Sequence, residues 1–147
     1  MRIVLQRVKQ ASVTVGKETI GRIGKGSLVF LAVARGDTPA TADHLADKVL
    51  QVRVFDDDQG KMNLSAGDAG AEFLVVPQFT LYGDCRKGRR PSFDAAAEPS
   101  KGEELYNYFV ARLKQSGASV ATGRFRAMMD VSLVNDGPVT LILDADH

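Results

Sequence analysis

The stretch SLVFLAVA, residues 27–34, is a nearly continuous apolar run bounded by Gly26 and Gly36. A short run of this kind is typical of a strand that lies inside a sheet and is covered on both faces. We therefore predict that residues 27–34 form a central strand. The rest of the sheet and the helices are expected to be built around it.

The segments on either side of this strand have different periods. The segment before it predicts a β hairpin, with strands at residues 2–8 and 12–15, a turn at Gly16 and a return strand at residues 19–23. After it, Pro39 suits the first turn of a helix. Leu45, Val49 and Val52 then recur at helical spacing. These signals predict a first helix of about a dozen residues, the usual helix length.

The remainder of the sequence predicts more strands and a second helix. The strands are expected at residues 52–55, 62–64, 73–81, 129–134 and 139–143, the last two joined across residues 135–138. Ser100 and Glu103 form a capping-box pattern. The helical face continues through Leu105, Tyr108, Phe109, Arg112 and Leu113 to Gly117. The sum predicts an α+β fold, a single domain over residues 1–147 with a curved or barrel-like mixed β-sheet and two main helices.

Length and charge restrict the class of protein. The 147 residues are 44% apolar, and 19 basic against 18 acidic residues leave a net charge of +1. A polyanionic partner must therefore be bound by a local basic patch. The single cysteine, Cys85, excludes an intramolecular disulfide. The charged start MRIVLQRVKQ does not resemble a signal peptide. No apolar run reaches membrane-spanning length, so we expect a cytoplasmic location and no membrane partner.

Conventional catalytic and cofactor motifs are mostly missing. The histidines are His44, inside the first predicted helix, and His147, the last residue, so a Ser or Cys triad is not expected. Cys85 is flanked by cations that would favour a reactive thiol, but without a nearby histidine it is interpreted as a surface cysteine. The aspartates at residues 56–58 lack the spacing of a calcium loop. No metal or other cofactor is predicted.

The stretch VVPQFTLYGDCRKGRRPSF, residues 75–93, interrupts an apolar strand with Pro77, Gln78 and Thr80. Polar groups fill a core poorly because each needs a partner when buried, but they suit the floor of a pocket. The strand leads into a loop whose cations are Arg86, Lys87, Arg89 and Arg90. Such a loop can follow a phosphate backbone. A merely solvated loop explains the charge equally well, and the position beside the polar strand end favours nucleic acid.

A second unusual stretch is VSLVNDGPVTLIL, residues 131–143. An Asp-Gly turn between strands ordinarily needs no function, because glycine readily adopts positive φ. Pro138, however, lacks an N–H, and a bond preceding proline is where a cis peptide is tolerated. Gly137 and Pro138 therefore predict a rigid backbone corner whose bare carbonyls can approach a ligand closely.

Together these stretches resemble the D-aminoacyl-tRNA deacylase (D-tyrosyl-tRNA(Tyr) deacylase) family. The matching blocks are QRV (6–8), GKMNL (60–64), PQFTL (77–81), RPSF (90–93), TGRF (122–125) and NDGPVT (135–140). They follow the family's order and cover essentially the whole chain. The resemblance implies a cofactor-free, metal-free, homodimeric tRNA-editing hydrolase with the family's fold, whose two pockets lie at the subunit interface.

The resemblance also implies roles for particular residues. Gly137 and Pro138, joined by a cis bond, would reach into the partner's pocket and bind the α-carbon region of the aminoacyl group, and Arg7 would steady them. Gln78, Phe79 and Thr80 would surround the ester, beside Pro77. Phe125 and Met129 would line the site of the terminal adenosine. The sequence departs from the family at Pro77, where the usual residue is serine.

The expected reaction is hydrolysis of the ester of D-aminoacyl-tRNA, with the D-aminoacylated 3′ end as substrate. A rigid corner can exclude an L side chain but not glycine, so we also expect hydrolysis of glycyl-tRNA mischarged on tRNA(Ala). Two alternatives remain at this stage. One is a non-catalytic RNA-binding dimer that uses the cationic loop, and the other is a related deacylase that edits other mischarged tRNAs.

Overall fold

The computed structural model describes residues 1–145. Its strands are β1 (Arg2–Val15), β2 (Glu18–Ile23), β3 (Gly26–Ala32), β4 (Phe55–Asp56), β5 (Met62–Leu64), β6 (Glu72–Pro77), β7 (Val120–Thr122) and β8 (Asp130–Asp144). Its helices are α1 (Pro39–Gln51), the short α2 (Ala66–Ala69) and α3 (Pro99–Gln115), and a 3-10 turn spans Phe79–Tyr82. His147 lies outside the described residues.

The main sheet is mixed and curls almost into a barrel. Its strand order is β2-β1-β3-β6-β7, and β8 pairs antiparallel with β1 along the other edge of that strand. The β3–β6 and β6–β7 pairs are parallel. The two ends of this order approach each other, because a Cβ on Gly21 of β2 would lie 2.6 Å from the carbonyl oxygen of Thr122 in β7. The expected α+β class with a curved mixed sheet is confirmed.

The prediction of a central strand covered on both faces is also confirmed. Successive β3 side chains point to opposite faces of the sheet. Leu28 packs in one buried cluster with Val8, while Val29 and Leu31 pack in the other with residues of α1 and α3. All of these side chains are at most 2% exposed. The sheet is therefore a stable frame on which the ends of β3 and β6 are rigidly placed.

Helix α1 follows its predicted signals closely. Pro39 occupies its first turn, the Thr38 hydroxyl accepts a hydrogen bond from the N–H of Thr41, and Leu45 and Val49 are buried. The capping box predicted for α3 was wrong. That helix begins at Pro99, and Glu98 is its N-cap residue without a side-chain cap bond. Proline at the first helical position needs no partner for a missing N–H, so Ser100 is left inside the helix.

Several predicted strand boundaries were wrong. Of residues 52–55 only Phe55 lies in a strand, because β4 is Phe55–Asp56. Residues 73–81 do not form one strand, because β6 ends at Pro77 and the chain turns. Residues 2–15 form one continuous strand rather than two. Residues 129–134 and 139–143 do not form a hairpin; both belong to β8 and pair with β1. Between Asn135 and Thr140 the register shifts opposite Arg7, so the corner projects as a bulge from a strand.

Candidate active site

Residues 77–80 (PQFT) lie where β6 ends and the 3-10 turn begins. The N–H of Gln78 donates to the carbonyl of Leu31 at 2.8 Å and is the last link to β3. The Thr80 hydroxyl donates to Gln78 Oε1 at 2.6 Å. That bond occupies the hydroxyl proton and leaves the Gln78 amide free to donate. The pair thus offers an amide donor and a hydroxyl acceptor beside the strand end.

A cavity of about 450 Å³ opens beside these residues, within the size range of small-molecule sites. Pro77, Gln78, Phe79 and Phe125 line it, so four of the predicted site residues meet there. Thr80 follows directly but is not part of the lining. Met129 lies behind the wall: its sulfur would be 2.8 Å from a Cβ on Gly123, and Pro77 is on the same side.

The cavity wall is largely aromatic. Phe79 is 58% exposed and packs edge-on against Phe93, with ring centroids 5.1 Å apart. Tyr106 packs against Phe125 at 6.2 Å and donates its hydroxyl to the carbonyl of Val75 at 2.7 Å. Burial raises the pKa of the Tyr106 phenol, so the hydroxyl remains a donor. These rings offer flat apolar faces that suit a nucleobase or an aminoacyl side chain.

Arg7 and the glycine–proline corner (Gly137 and Pro138) form a second group. Arg7 is only 7% exposed. Its Nη1 donates to the carbonyl of Val54 at 2.7 Å, and its Nε donates to the carbonyl of Asp136 at 3.1 Å. Ion pairs to Asp56 at 3.3 Å and Asp136 at 3.5 Å complete the set. Arg7 therefore fixes the chain directly before the corner.

The corner itself is exposed backbone. Gly137 has φ +120°, which favours glycine, and its peptide bond to Pro138 is cis. A Cβ on Gly137 would lie 3.1 Å from Arg7 Nη2 and 3.1 Å from Val139 Cγ2, so there is little room for a side chain. Gly137 and Pro138 are both exposed.

Within one chain the corner does not line the cavity. Arg7 pairs with Ser27 on β3, whereas Pro77 pairs with Leu31, four residues farther along that strand. This offset corresponds to roughly 13 Å at the usual strand rise. The corner is also on β8, three strands away from β6, or roughly 14 Å at the usual strand spacing. The predicted site residues thus fall into two separate groups.

The basic loop (residues 85–91) projects from a closed neck. Asp84 and Ser92 exchange backbone hydrogen bonds of 2.7 and 2.9 Å. Arg86 is tied to the Asp84 carboxylate at 2.9 and 2.8 Å, and this contact lowers the pKa of Asp84 to about 2. Lys87, Arg89 and Arg90 are exposed and make no hydrogen bond or ion pair within the described chain. The loop therefore presents three available cations rather than four.

Sequence reasoning missed the contact that holds the far end of the 3-10 turn. Arg2 Nη1 donates to the carbonyl of Leu81 at 3.0 Å, and its guanidinium lies 4.8 Å from the centre of the Tyr82 ring. Arg2 Nε also contacts both carboxylate oxygens of Asp144 at 3.1 Å, and this hydrogen bond raises the pKa of Arg2. These partners are distant in sequence, so no local pattern indicates them.

Several cavity residues were also missed. Tyr106 and Gly102 of α3 line the cavity, and a Cβ on Gly102 would be 3.3 Å from Phe125. The predicted helix face instead contained Tyr108, which is exposed and donates to Asp43 at 3.0 Å. Gly102 and Tyr106 are four residues apart, so they lie on the same face of α3. That spacing could have indicated which face borders the cavity. Arg35 and Arg126, at the cavity, have no sequence signal.

Residues 1–145 contain no group of three or more His, Cys, Asp and Glu side chains placed to hold a metal ion. Over the same residues, no helix combines the length and apolarity that crossing a bilayer requires.

Comparison with known proteins agrees with the motifs. A model of the family described as D-Tyr-tRNA(Tyr) deacylase matches residues 4–144. A protein of Halothermothrix orenii named D-aminoacyl-tRNA deacylase is 55% identical over 99% of this chain and 98% of its own length. One of Thermotoga petrophila with the same name is 56% identical over 99% and 97%.

Two solved structures resemble the fold. One, described as the c-Myc DNA unwinding element binding protein, is 40% identical, with a TM-score of 0.94 over 100% of both chains. The other, described as a probable eukaryotic D-amino acid tRNA deacylase, is 20% identical, with a TM-score of 0.85 over 98% of both chains. At that identity the second likeness concerns the fold alone.

Proposed function

Because this chain belongs to the D-Tyr-tRNA(Tyr) deacylase family, it is an enzyme that hydrolyses D-aminoacyl-tRNA, and we propose that it does so in the cavity beside residues 77–80. The observation that carries this assignment is the meeting of Gln78 and Phe79 with Phe125 in one aromatic cavity. The aromatic faces accommodate the terminal adenosine, and the strand end holds the ester.

The first residues of the 3-10 turn supply the electrostatic part of the mechanism. The N–H groups of Phe79 and Thr80 begin this turn and donate no hydrogen bond within residues 1–145. Water adding to the ester carbonyl places negative charge on the carbonyl oxygen, which such fixed donors stabilise. When the tetrahedral intermediate collapses, the C–O bond to the ribose breaks and the ribose oxygen takes up a proton, which releases D-amino acid and tRNA.

Thr80 positions the substrate in this mechanism and does not attack it. Its hydroxyl proton is directed to Gln78, and no histidine or carboxylate within the described chain accepts a hydrogen bond from it. A hydroxyl needs such a base to become a nucleophile. The ribose hydroxyl adjacent to the ester is the group of the substrate that can orient water or transfer the proton.

We infer that the glycine–proline corner acts in the cavity of a second copy of the chain. The corner is exposed and is far from its own cavity along the sheet. β8 pairs only with β1 within residues 1–145 and leaves its other edge open, with Val134 43% and Ile142 69% exposed. Exposed strand edges are ready sites for association. A two-fold axis would create two identical shared sites.

Shared sites explain chiral selection without side-chain recognition. A backbone corner beside the α-carbon leaves no room where an L side chain would point, and it does not touch a D side chain. Glycine lacks a side chain and is not excluded, so glycyl-tRNA, including glycine on tRNA(Ala), is a further substrate in this proposal. The basic loop binds the tRNA backbone, and the enzyme acts in the cytoplasm, where aminoacyl-tRNA is consumed.

The decisive experiment measures deacylation of matched D- and L-aminoacyl-tRNA pairs with several side chains. The expected result is hydrolysis of every D ester and sparing of its L counterpart. Equal rates within a pair would contradict chiral selection and favour a related deacylase. Binding of every ester without turnover would favour the non-catalytic RNA-binding dimer. Sedimentation at the assay concentration tests the shared site, because a fully active monomer would refute it.

A further inference from the structure

Two arginines, Arg35 and Arg126, lie among the residues that line the otherwise apolar cavity. We propose that they bind the phosphodiester that joins the terminal adenosine of the tRNA to the preceding nucleotide. This inference rests on the proposed function, since it assumes that the cavity holds that adenosine. It adds a phosphate subsite, distinct from the basic loop, directly at the reaction site.

The backbone at Arg126 supports the assignment. Successive side chains of an extended chain point in opposite directions, yet Phe125 and Arg126 both line the cavity. The chain turns here: the N–H of Ala127 donates to the carbonyl of Arg124 at 3.3 Å, and Arg126 has φ +65°. That conformation is costly for a residue other than glycine and persists chiefly at functional sites. The turn places an aromatic wall and a cation on one side.

Arg126 is also uncommitted. It is exposed and makes no hydrogen bond or ion pair with any of residues 1–145. Its guanidinium therefore keeps all of its donors for a ligand. By contrast, the buried Arg7 has its contacts satisfied by Val54, Asp136 and Asp56.

Arg35 is held in place by contacts that leave its outer nitrogens free. Its backbone N–H donates to the carbonyl of Ala95 at 3.2 Å. Its Nε donates to the carbonyl of Asp94, and the carbonyl of Arg35 accepts a hydrogen bond from Lys101 Nζ. Its Nη1 and Nη2 make no hydrogen bond or ion pair within the described chain. An arginine anchored in this way offers the planar pair of donors that binds phosphate oxygens.

The lining of the cavity offers apolar surface for a base and positive charge for an anion. Pro77, Phe79, Phe93, Tyr106 and Phe125 supply the apolar part of the lining, and such surroundings suit a base. Glu98 is the acidic residue of the lining and opposes an anion there. Two arginines and one carboxylate leave the lining with a net positive charge. Removing the charge of Glu98 should therefore have the opposite effect to removing an arginine.

The test compares two esters that differ by one phosphate. They are D-aminoacyl adenosine and the D-aminoacyl ester of the dinucleotide cytidylyl-adenosine. Arg126→Ala and Arg35→Ala should each lower kcat/KM for the dinucleotide ester about tenfold, the effect of one lost charge-assisted hydrogen bond. Both variants should leave kcat/KM for the adenosine ester unchanged. Glu98→Gln should raise kcat/KM for the dinucleotide ester only. Arg22→Ala is the matched control and should affect neither ester, because Arg22 is an exposed arginine of β2 that does not line the cavity.

If an arginine variant lowered kcat/KM equally for both esters, or lowered it for neither, the phosphate subsite would be overturned. If the wild-type enzyme cleaved neither ester, the assignment of the cavity to the reaction would fail. Binding of cytidylyl-adenosine and of adenosine, measured by calorimetry, would still test the subsite in that case. The wild type should prefer the dinucleotide, and Arg126→Ala should lose that preference. An unchanged preference in the variant would refute the proposal.

Discussion

The cavity beside residues 77–80 is walled by side chains, whereas the glycine–proline corner presents backbone. Phe79 at the cavity is 58% exposed and makes an edge-on contact with Phe93. The corner depends on a single buried cation, Arg7, which bonds to two carbonyls. The difference indicates that the two regions have separate roles. The cavity can accommodate varied side chains, and the corner must keep one shape.

The largest effect is expected for Arg7→Ala. This change leaves the carbonyls of Val54 and Asp136 and two carboxylates without their partner. We expect a loss of about 3 kcal/mol in the free energy of unfolding, because unpaired buried acceptors are costly. Urea denaturation measures it. Arg2→Ala is the control, because Arg2 is 36% exposed and should lose about 1 kcal/mol or less. If both variants lost the same free energy of unfolding, the buried contacts of Arg7 would contribute no more to stability than the exposed contacts of Arg2.

Gly137→Ala should act on catalysis more than on the cavity. The φ of +120° and the 3.1 Å approach to Arg7 and Val139 force the corner to shift. A displacement near 1 Å can cost about a hundredfold in rate, so D-aminoacyl-tRNA hydrolysis should fall by about that factor. Adenosine binding in the cavity should remain.

The matched control for Gly137→Ala is Gly88→Ala in the basic loop. Gly88 also has positive φ, at +66°, but no atom lies within 4 Å of its added Cβ. Its rate of D-aminoacyl-tRNA hydrolysis should stay near that of wild type. If both variants lose activity alike, backbone strain rather than the corner's position explains the effect.

Thr80→Ala should lower the rate of D-aminoacyl-tRNA hydrolysis without abolishing it. Removing a positioning or oxyanion hydrogen bond costs roughly a hundred to a thousandfold or less, whereas removing a covalent nucleophile costs about a millionfold. The variant should keep measurable single-turnover activity, and a substrate lacking the adjacent ribose hydroxyl should be poor for the wild type. An inactive variant, combined with normal cleavage of the deoxy substrate or a trapped aminoacyl-Thr80, would make Thr80 the nucleophile.

The smallest effects are expected at the basic loop, outside both regions. Arg89→Ala combined with Arg90→Ala should weaken tRNA binding and reduce the slope of log K against log salt by about one per lost phosphate contact. D/L selectivity should not change. Arg86→Ala should alter the slope less, because Arg86 is already paired with Asp84 at 2.8 Å. A slope that is insensitive to Arg89 and Arg90 would move the tRNA path elsewhere.

Much of the frame was predictable because its signals are local. The apolar run 27–34, the proline at the start of α1 and the polar break at residues 77–80 lie within single segments. The first two correctly indicated a covered strand and a helix, and Pro77, Gln78 and Phe79 line the cavity. The boundary errors were also local in origin: Pro99 and Ser100 offered competing helix starts, and Pro77 ended β6 before the apolar pattern did.

By itself, the amino-acid sequence determined the fold class and the family, because periodicity and motifs are properties of neighbouring residues. Tertiary structure decided which distant groups meet. Arg7 reaches Asp136, 129 residues away, Arg2 reaches Leu81, 79 residues away, and Arg35 and Arg126 line one cavity. Those contacts arise when the sheet curls and sets its register, and the energy of a guanidinium contact depends on a geometry that no short stretch of sequence specifies.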